Sequence, residues 1–223
     1  MSAAIGLTQD WSVACVQALA HFQRSLSSPA ACPVVASDMS DAECMRRYSQ
    51  GDAQAFRILY ARYRERLHRY ALRLAERTPE AEELFQDVWM AVVNGRERYE
   101  PHAPFAAWLF GIAHRRAADR WRALGRHAPD ALRKREDDDV FEHQATLPVH
   151  APEHQVQNEA LGKALLDAVK ALPMPQREAF LMKAEGDLSL EDIAAATGTT
   201  RETVKSRLRY AQRRLREALE PWR

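Results

Sequence analysis

The chain has 223 residues, 28% of them charged, and a formal net charge of +1, the composition of a soluble globular protein long enough for two small domains. Its three cysteines, Cys15, Cys32 and Cys44, lack CxxC spacing. That excludes a disulfide framework and a zinc site, and points to a reducing cytoplasm. No run of eighteen apolar residues exists, which excludes a membrane-inserted helix.

Residues 1–38 read as an N-terminal extension. Trp11, Cys15, Leu19 and Phe22 recur at helical spacing, and SLSSPAACPVVASD (25–38) has linker composition. Met39 offers a natural start, so the extension is either an accessory segment or a misassigned beginning. From Ser40 onward the apolar period is helical: Phe56, Leu59, Tyr60, Tyr63, Leu67, Tyr70, Ala71 and Leu74 form one stripe. Thr78-Pro79 reads as a cap followed by proline at the first helical position, with Glu80, Glu82 and Glu83 in the first turn and Gly95 as the stop. A third helix runs from about Pro104 to Leu124 and carries two stripes. Ala106, Leu109, Phe110, Ala113, Ala117 and Trp121 form a packing face. Phe105, Trp108, Ile112, Arg115, Arg116 and Asp119 form a neighbouring face that begins aromatic and ends basic.

Residues 126–157 break the pattern with Pro129, Pro148, Pro152 and an acidic run from Glu136 to Glu142, the composition of a flexible linker. Helical periodicity returns through 158–223. Ser189 and Asp192 have capping-box spacing, Thr199 and Glu202 repeat it, and Gly198 lies between them. That is the grammar of a helix-turn-helix. The expected fold is therefore all-α: a helical bundle over 39–125 and a helix-turn-helix domain over 158–223, joined by the linker.

The last long helix carries Arg201, Lys205, Arg207, Arg209, Arg213, Arg214 and Arg216 against the single acid Glu202. Val204, Leu208, Ala211 and Leu215 supply a narrow apolar stripe, too weak for membrane insertion. Such a helix reads duplex DNA: cations at phosphates, and Thr200, Arg201, Thr203, Lys205 and Ser206 at its start facing base edges. In the aromatic–basic stripe, Phe105 and Trp108 suit base stacking, while Arg115 and Arg116 suit phosphates. The preceding loop, with Tyr99 and His102, suits a flipped base. The alternative on spacing alone is that Phe105 and Trp108 are core and the arginines solvated. Leu84, Gln86, Asp87, Val88 and Trp89 lie in an acidic helix whose tryptophan fits either a protein interface or a core beside a solvated face. No catalytic constellation, metal spacing or cofactor motif is evident, so the chain reads as a non-enzyme with no cofactor and no metal.

GDAQAFRILYARYRERL (51–67), AEELFQDVWMAV (81–92), FAAWLFGIAHRRAADRWR (105–122) and LPMPQREAFLMKAEGDLSLEDIAAATGTTRETVKSRLRYAQRRLREAL (172–219) together resemble the extracytoplasmic-function (ECF) group of bacterial RNA polymerase sigma factors. The first three resemble sigma region 2 and the last region 4. The resemblance implies promoter-specific transcription initiation: binding to core RNA polymerase, reading of the -35 and -10 elements and help in melting the duplex. It implies that Leu84, Gln86, Asp87, Val88 and Trp89 meet the beta-prime coiled coil. It implies -10 recognition and melting by Tyr99, His102, Phe105, Trp108, Arg115, Arg116, Asp119 and Arg122. For the -35 element it implies Thr200, Arg201, Thr203, Lys205, Ser206, Arg207, Arg209 and Arg213, with region 4 also meeting the beta flap. Relatives often have an anti-sigma factor, and many carry a polar residue such as Asn where Arg115 stands. A free-standing helix-turn-helix regulator is the alternative from another class.

Overall fold

The computed structural model describes residues 39–100, 103–123 and 154–222. Among these are eight α-helices and no strand: α1 (Asp41–Ser49), α2 (Ala53–Leu74), α3 (Thr78–Gly95), α4 (Phe105–Ala123), α5 (His154–Ala171), α6 (Met174–Gly186), α7 (Leu190–Thr197) and α8 (Arg201–Ala218). Short 3-10 turns follow α3 at Arg96–Arg98 and α8 at Glu220–Trp222. The expectations for residues 1–38 and His102, and nearly all of the acidic linker, lie outside the described residues; α5 begins at His154, inside the segment expected as linker.

The helices group into two bodies. The larger contains α1 to α4 together with Leu172–Ala211, and the smaller contains α5 and the chain from Gln212 onward. In the smaller body Leu165, Val169, Leu215 and Leu219 are buried.

In the larger body, local signals start and stop each helix. Ser40 caps α1, its Oγ accepting from the Glu43 N–H at 3.2 Å. Asp52 caps α2 by accepting from the N–H groups of Gln54 and Ala55 at 2.9 and 3.3 Å. Asp41 ties α1 to α2: it accepts from Arg62 at 2.6 Å and from the Tyr63 hydroxyl. Helix α3 departs from expectation at its start. The Ala81 N–H donates to the Arg77 carbonyl at 3.2 Å, so the first helical bond begins at Arg77, and Thr78 is already inside the helix with Pro79 in the first turn.

Helix α7 starts on the expected capping box. The Ser189 Oγ accepts from the Asp192 N–H at 3.0 Å, and the Asp192 carboxylate accepts from the Ser189 N–H at 3.2 Å. Gly198 ends α7 in the left-handed region at φ 64°. The cap of α8 is Thr200, one residue beyond the expected Thr199. The Thr199 N–H closes the turn onto the Ala194 carbonyl at 3.0 Å, leaving Thr200 Oγ1 to accept from the Thr203 N–H at 3.2 Å. At the end of α6 the left-handed residue is Asp187, not the glycine before it. Gly186 is required for a different reason: a Cβ there would stand 2.9 Å from Leu188 Cγ and 3.2 Å from Phe110 Cδ2.

The core of the bundle is the expected stripe of α2 (Leu59, Tyr63, Leu67, Ala71, Leu74) against Leu84, Val88 and Val92 of α3 and Leu109, Phe110 and Ala113 of α4, all buried. Helices α2 and α4 each bury a second side. Tyr70 and Arg73 of α2, with Ala107, Gly111 and His114 of α4, are buried too, because α6 packs on α2 and α7 packs on α4.

Candidate nucleic-acid interface

Helix α8 has the geometry of a DNA-reading element. Its stripe of Val204, Leu208 and Ala211 is buried, while Thr200, Arg201, Lys205, Arg209 and Arg213 are exposed. Where these cations pair with acids, the pairs lie at the exposed surface, close at Arg201 and longer at Lys205 and Arg213. Arg201 Nε reaches Glu191 at 2.5 Å, Lys205 Nζ stands 3.5 Å from Glu202, and Arg213 Nε is 3.8 Å from Glu217. Exposed pairs of this kind contribute little to stability and are readily exchanged for phosphate. Thr203 and Ser206 are half-buried, and the Thr200 and Thr203 hydroxyls bond each other at 2.9 Å. Arg207 differs from its neighbours. It is half-buried, and burial lowers its guanidinium pKa, partly offset by the charge of Glu178. It is therefore turned away from the fully exposed cationic face.

Helix α4 divides differently from the sequence expectation. Phe105, expected to stack on a base, is 2% exposed and packs edge-on against Tyr63 with ring centroids 5.1 Å apart. Ile112 of the same stripe is also buried. Phe105 is a core residue because it opens the helix directly over the α2 stripe. Trp108 is half-buried, 5.1 Å from the Tyr99 ring and 5.9 Å from Phe105, and its indole lies 3.5 Å from where a Cβ on Gly95 would be. It braces the end of α3 and the loop that holds Tyr99. Tyr99 is half-buried, and its hydroxyl donates to the Ala103 carbonyl at 3.4 Å. Arg115, Arg116, Asp119 and Arg122 are exposed, and Asp119 pairs with Arg122. The exposed part of the expected site is thus its basic end.

On α3, Leu84, Val88 and Trp89, expected at a protein interface, are 4%, 0% and 6% exposed. They face inward on the α2 side; Trp89 packs against Tyr60 and Phe56, at 4.9 and 5.7 Å. Gln86 is exposed, and Asp87 is half-exposed, accepting from Arg120 at 2.8 Å. The outward face of α3 is Glu83, Gln86, Met90 and Asn94, with Met90 57% exposed. Met90 was missed because an exposed methionine has the same spacing in sequence as a core one.

Sequence reasoning also missed a polar cluster under α6. Glu185 accepts from Arg69 at 2.9 Å and pairs with Arg73, and its carbonyl accepts from Arg66 at 2.5 Å. Glu178 bonds His114 Nδ1 at 2.6 Å and accepts from the Tyr70 hydroxyl at 3.2 Å. Burial and the Glu178 charge raise the Tyr70 pKa far above the ordinary range. Arg66, Arg69 and Arg73 fall at helical spacing, but their partner lies more than a hundred residues away along the chain and leaves no local sign. Among the described residues no cluster of three or more His, Cys, Asp or Glu could hold a metal ion, and no helix is long and apolar enough to cross a membrane.

The family model of Sigma-70 region 2 matches residues 59–127, covering α3 and α4, and that of Sigma-70 region 4 matches residues 162–215, covering the helix-turn-helix. The RNA polymerase sigma factor CarQ of Myxococcus xanthus is 33% identical over 175 residues, covering 78% of this chain and 95% of that protein. The ECF RNA polymerase sigma factor SigM of Mycobacterium tuberculosis is 32% identical over 193 residues, covering 84% and 91%. A co-crystal structure of the sigma factor RpoE with the anti-sigma factor NepR from Bartonella quintana matches with TM-score 0.56 and 27% identity, over 75% of this chain and 98% of that one. With a region 2 bundle preceding a region 4 helix-turn-helix, and relatives matched over nearly their whole length, the chain belongs to the ECF group of RNA polymerase sigma factors.

Proposed function

We propose that this sigma factor acts in the cytoplasm without catalytic activity of its own, recruiting core RNA polymerase to a two-part promoter. The observation that carries the reading is α8, a capped helix after a glycine turn whose solvent face is almost wholly cationic. The -35 element is read by Thr200, Arg201, Thr203, Lys205 and Ser206 at its start, with Arg209 and Arg213 on phosphates and Arg207 joining once its surroundings are rearranged. The -10 element is met by Arg115, Arg116 and Arg122, with Asp119 setting the position of Arg122, and Trp108 supporting Tyr99.

The polymerase beta-prime coiled coil docks on the outward face of α3, through Gln86, Asp87 and Met90, while Leu84, Val88 and Trp89 hold that helix in place. Region 4 meets the beta flap, and an anti-sigma factor holds the protein inactive, by likeness to a sigma factor solved with one. The test is in vitro transcription with core polymerase across candidate promoters. Initiation that depends on both the chain and the promoter is expected; none from any promoter rejects the reading. Capture of core polymerase by wild type and its loss in Asp87→Arg separates a sigma factor from a free-standing regulator, which has no use for this face.

A further inference from the structure

Helix α2 presents Arg66, Arg69 and Arg73 along one side, and α4 presents His114 beside them. Helix α6 fills the groove between: the Glu185 carboxylate meets Arg69 and Arg73, and its carbonyl accepts from Arg66. These are the contacts a phosphodiester makes, with anionic and neutral oxygens presented to several guanidiniums. The fit is incomplete. One carboxylate serves both Arg69 and Arg73, Arg66 has only the neutral Glu185 carbonyl, and Arg73, 4% exposed, keeps Nη2 without a hydrogen-bond partner. Burial, with the like charge of Arg69, holds the Arg73 pKa down to about 10, so this guanidinium is under-compensated where it sits. Buried ion pairs of this kind are weak sources of stability and better suited to specifying one of two arrangements.

The packing also conflicts with promoter binding. Positions -35 and -10 lie about 25 base pairs apart, on the order of 85 Å of duplex at about 3.4 Å per step. Yet a Cβ on Gly111 of α4 would stand 3.7 Å from the Ala196 Cβ of α7. The helix-turn-helix must leave α4 before both elements are read at once, and its departure uncovers the arginine groove.

We propose that the Arg66–Arg69–Arg73 groove binds the phosphate backbone of single-stranded promoter DNA, and that α6 occupies it in the closed protein as an internal competitor for that DNA, with Glu185 on the arginines and Glu178 anchoring the helix beside them on His114 and Tyr70. The proposal rests on the promoter-binding reading above.

The experiment uses the full chain without polymerase and a labelled single-stranded oligonucleotide, titrated across salt concentrations. Glu178→Gln with Glu185→Gln releases α6. It is expected to raise affinity about tenfold and to steepen the salt slope by about two, as three phosphates at about 0.7 each require. Arg69→Gln added to that pair is expected to remove about a third of the steepening. A slope that does not move, or a gain that Arg69→Gln leaves intact, overturns the groove.

Should the double Gln variant lose its helical circular dichroism, a second device tests the same point. Gly111→Cys with Ala196→Cys, made with Cys15→Ser and Cys32→Ser, places two thiols at disulfide separation. Oxidised, this protein is expected to bind the oligonucleotide no better than wild type and to lose initiation with core polymerase, both recovered on reduction. Initiation that is equal in the two redox forms overturns the closed state. Failure of every form, wild type included, to initiate rejects the sigma-factor reading instead. Wild-type initiation with an unmoved oligonucleotide slope rejects the groove alone.

Discussion

Helices α4 and α8 are both assigned to DNA, but they bury their surfaces in opposite ways. Helix α8 buries one narrow stripe in the larger body and leaves its cations outside. Helix α4 is buried from Phe105 to His114 on nearly every side except at Trp108, and becomes exposed only at Arg115 and Arg116. A helix that enters a duplex groove needs a free cylinder of backbone along its length. Helix α4 has none in this closed arrangement. Only its basic C-terminal half is available, and its aromatic N-terminal half is the keystone of the bundle.

The comparison breaks first at Phe105. If it is core, Phe105→Ala creates a cavity between α2 and α4 and costs about 3–5 kcal/mol. Thermal and urea unfolding check this, and an unchanged midpoint returns Phe105 to the DNA site. Trp108 sharpens the same boundary. Its ring rests on Tyr99, Phe105 and Gly95 but is only half-buried, so Trp108→Ala is expected to cost about 2 kcal/mol, roughly half a buried tryptophan. The bundle still folds at 25 °C, while permanganate footprinting shows reduced promoter melting because the loop from Tyr99 loses its brace. Full melting with the same stability loss makes Trp108 purely a packing residue.

How far these assignments were legible follows from the range of each interaction. Capping at Ser189 is encoded within three residues and was read correctly. The apolar stripes of α2 and α8 were legible because one face of a helix meets one core. The second buried side of α4 was not, since Ala107, Gly111 and His114 show no stripe of their own and are covered by helices far along the chain. Trp89 was ambiguous for a related reason. Spacing tells which residues share a face, and only the packing of Phe56 and Tyr60 over it tells that this face is covered. The cap of α8 was missed by one residue, because Thr199 and Thr200 are chemically alike and only the turn geometry at Gly198 chooses between them.

On the α8 side the largest purely structural effect is expected at the helix before it. Ser189→Ala removes the Oγ half of the capping box of α7, leaving the Asp192 N–H without its cap acceptor, and costs about 1 kcal/mol. Because α7 sets the angle at which α8 is offered to DNA, -35 binding weakens in proportion without any change in salt slope. A change in slope places Ser189 on a phosphate instead.

The smallest effect separates two cations two residues apart in sequence but different in exposure. Lys205 is exposed and only 3.5 Å from Glu202, a contact of little stabilising value. Lys205→Ala is expected to leave the melting temperature unchanged, to weaken -35 duplex binding a few-fold, and to reduce the salt slope by about one, the signature of one lost phosphate. Arg207 is half-buried, and its aliphatic stem and charge are part of the packing near Glu178. Arg207→Ala therefore lowers the melting temperature as well as altering binding. Identical behaviour of the two variants in both measurements would mean that α8 presents Arg207 and Lys205 to DNA on one continuous face, and that the inward turn of Arg207 belongs to the closed protein alone.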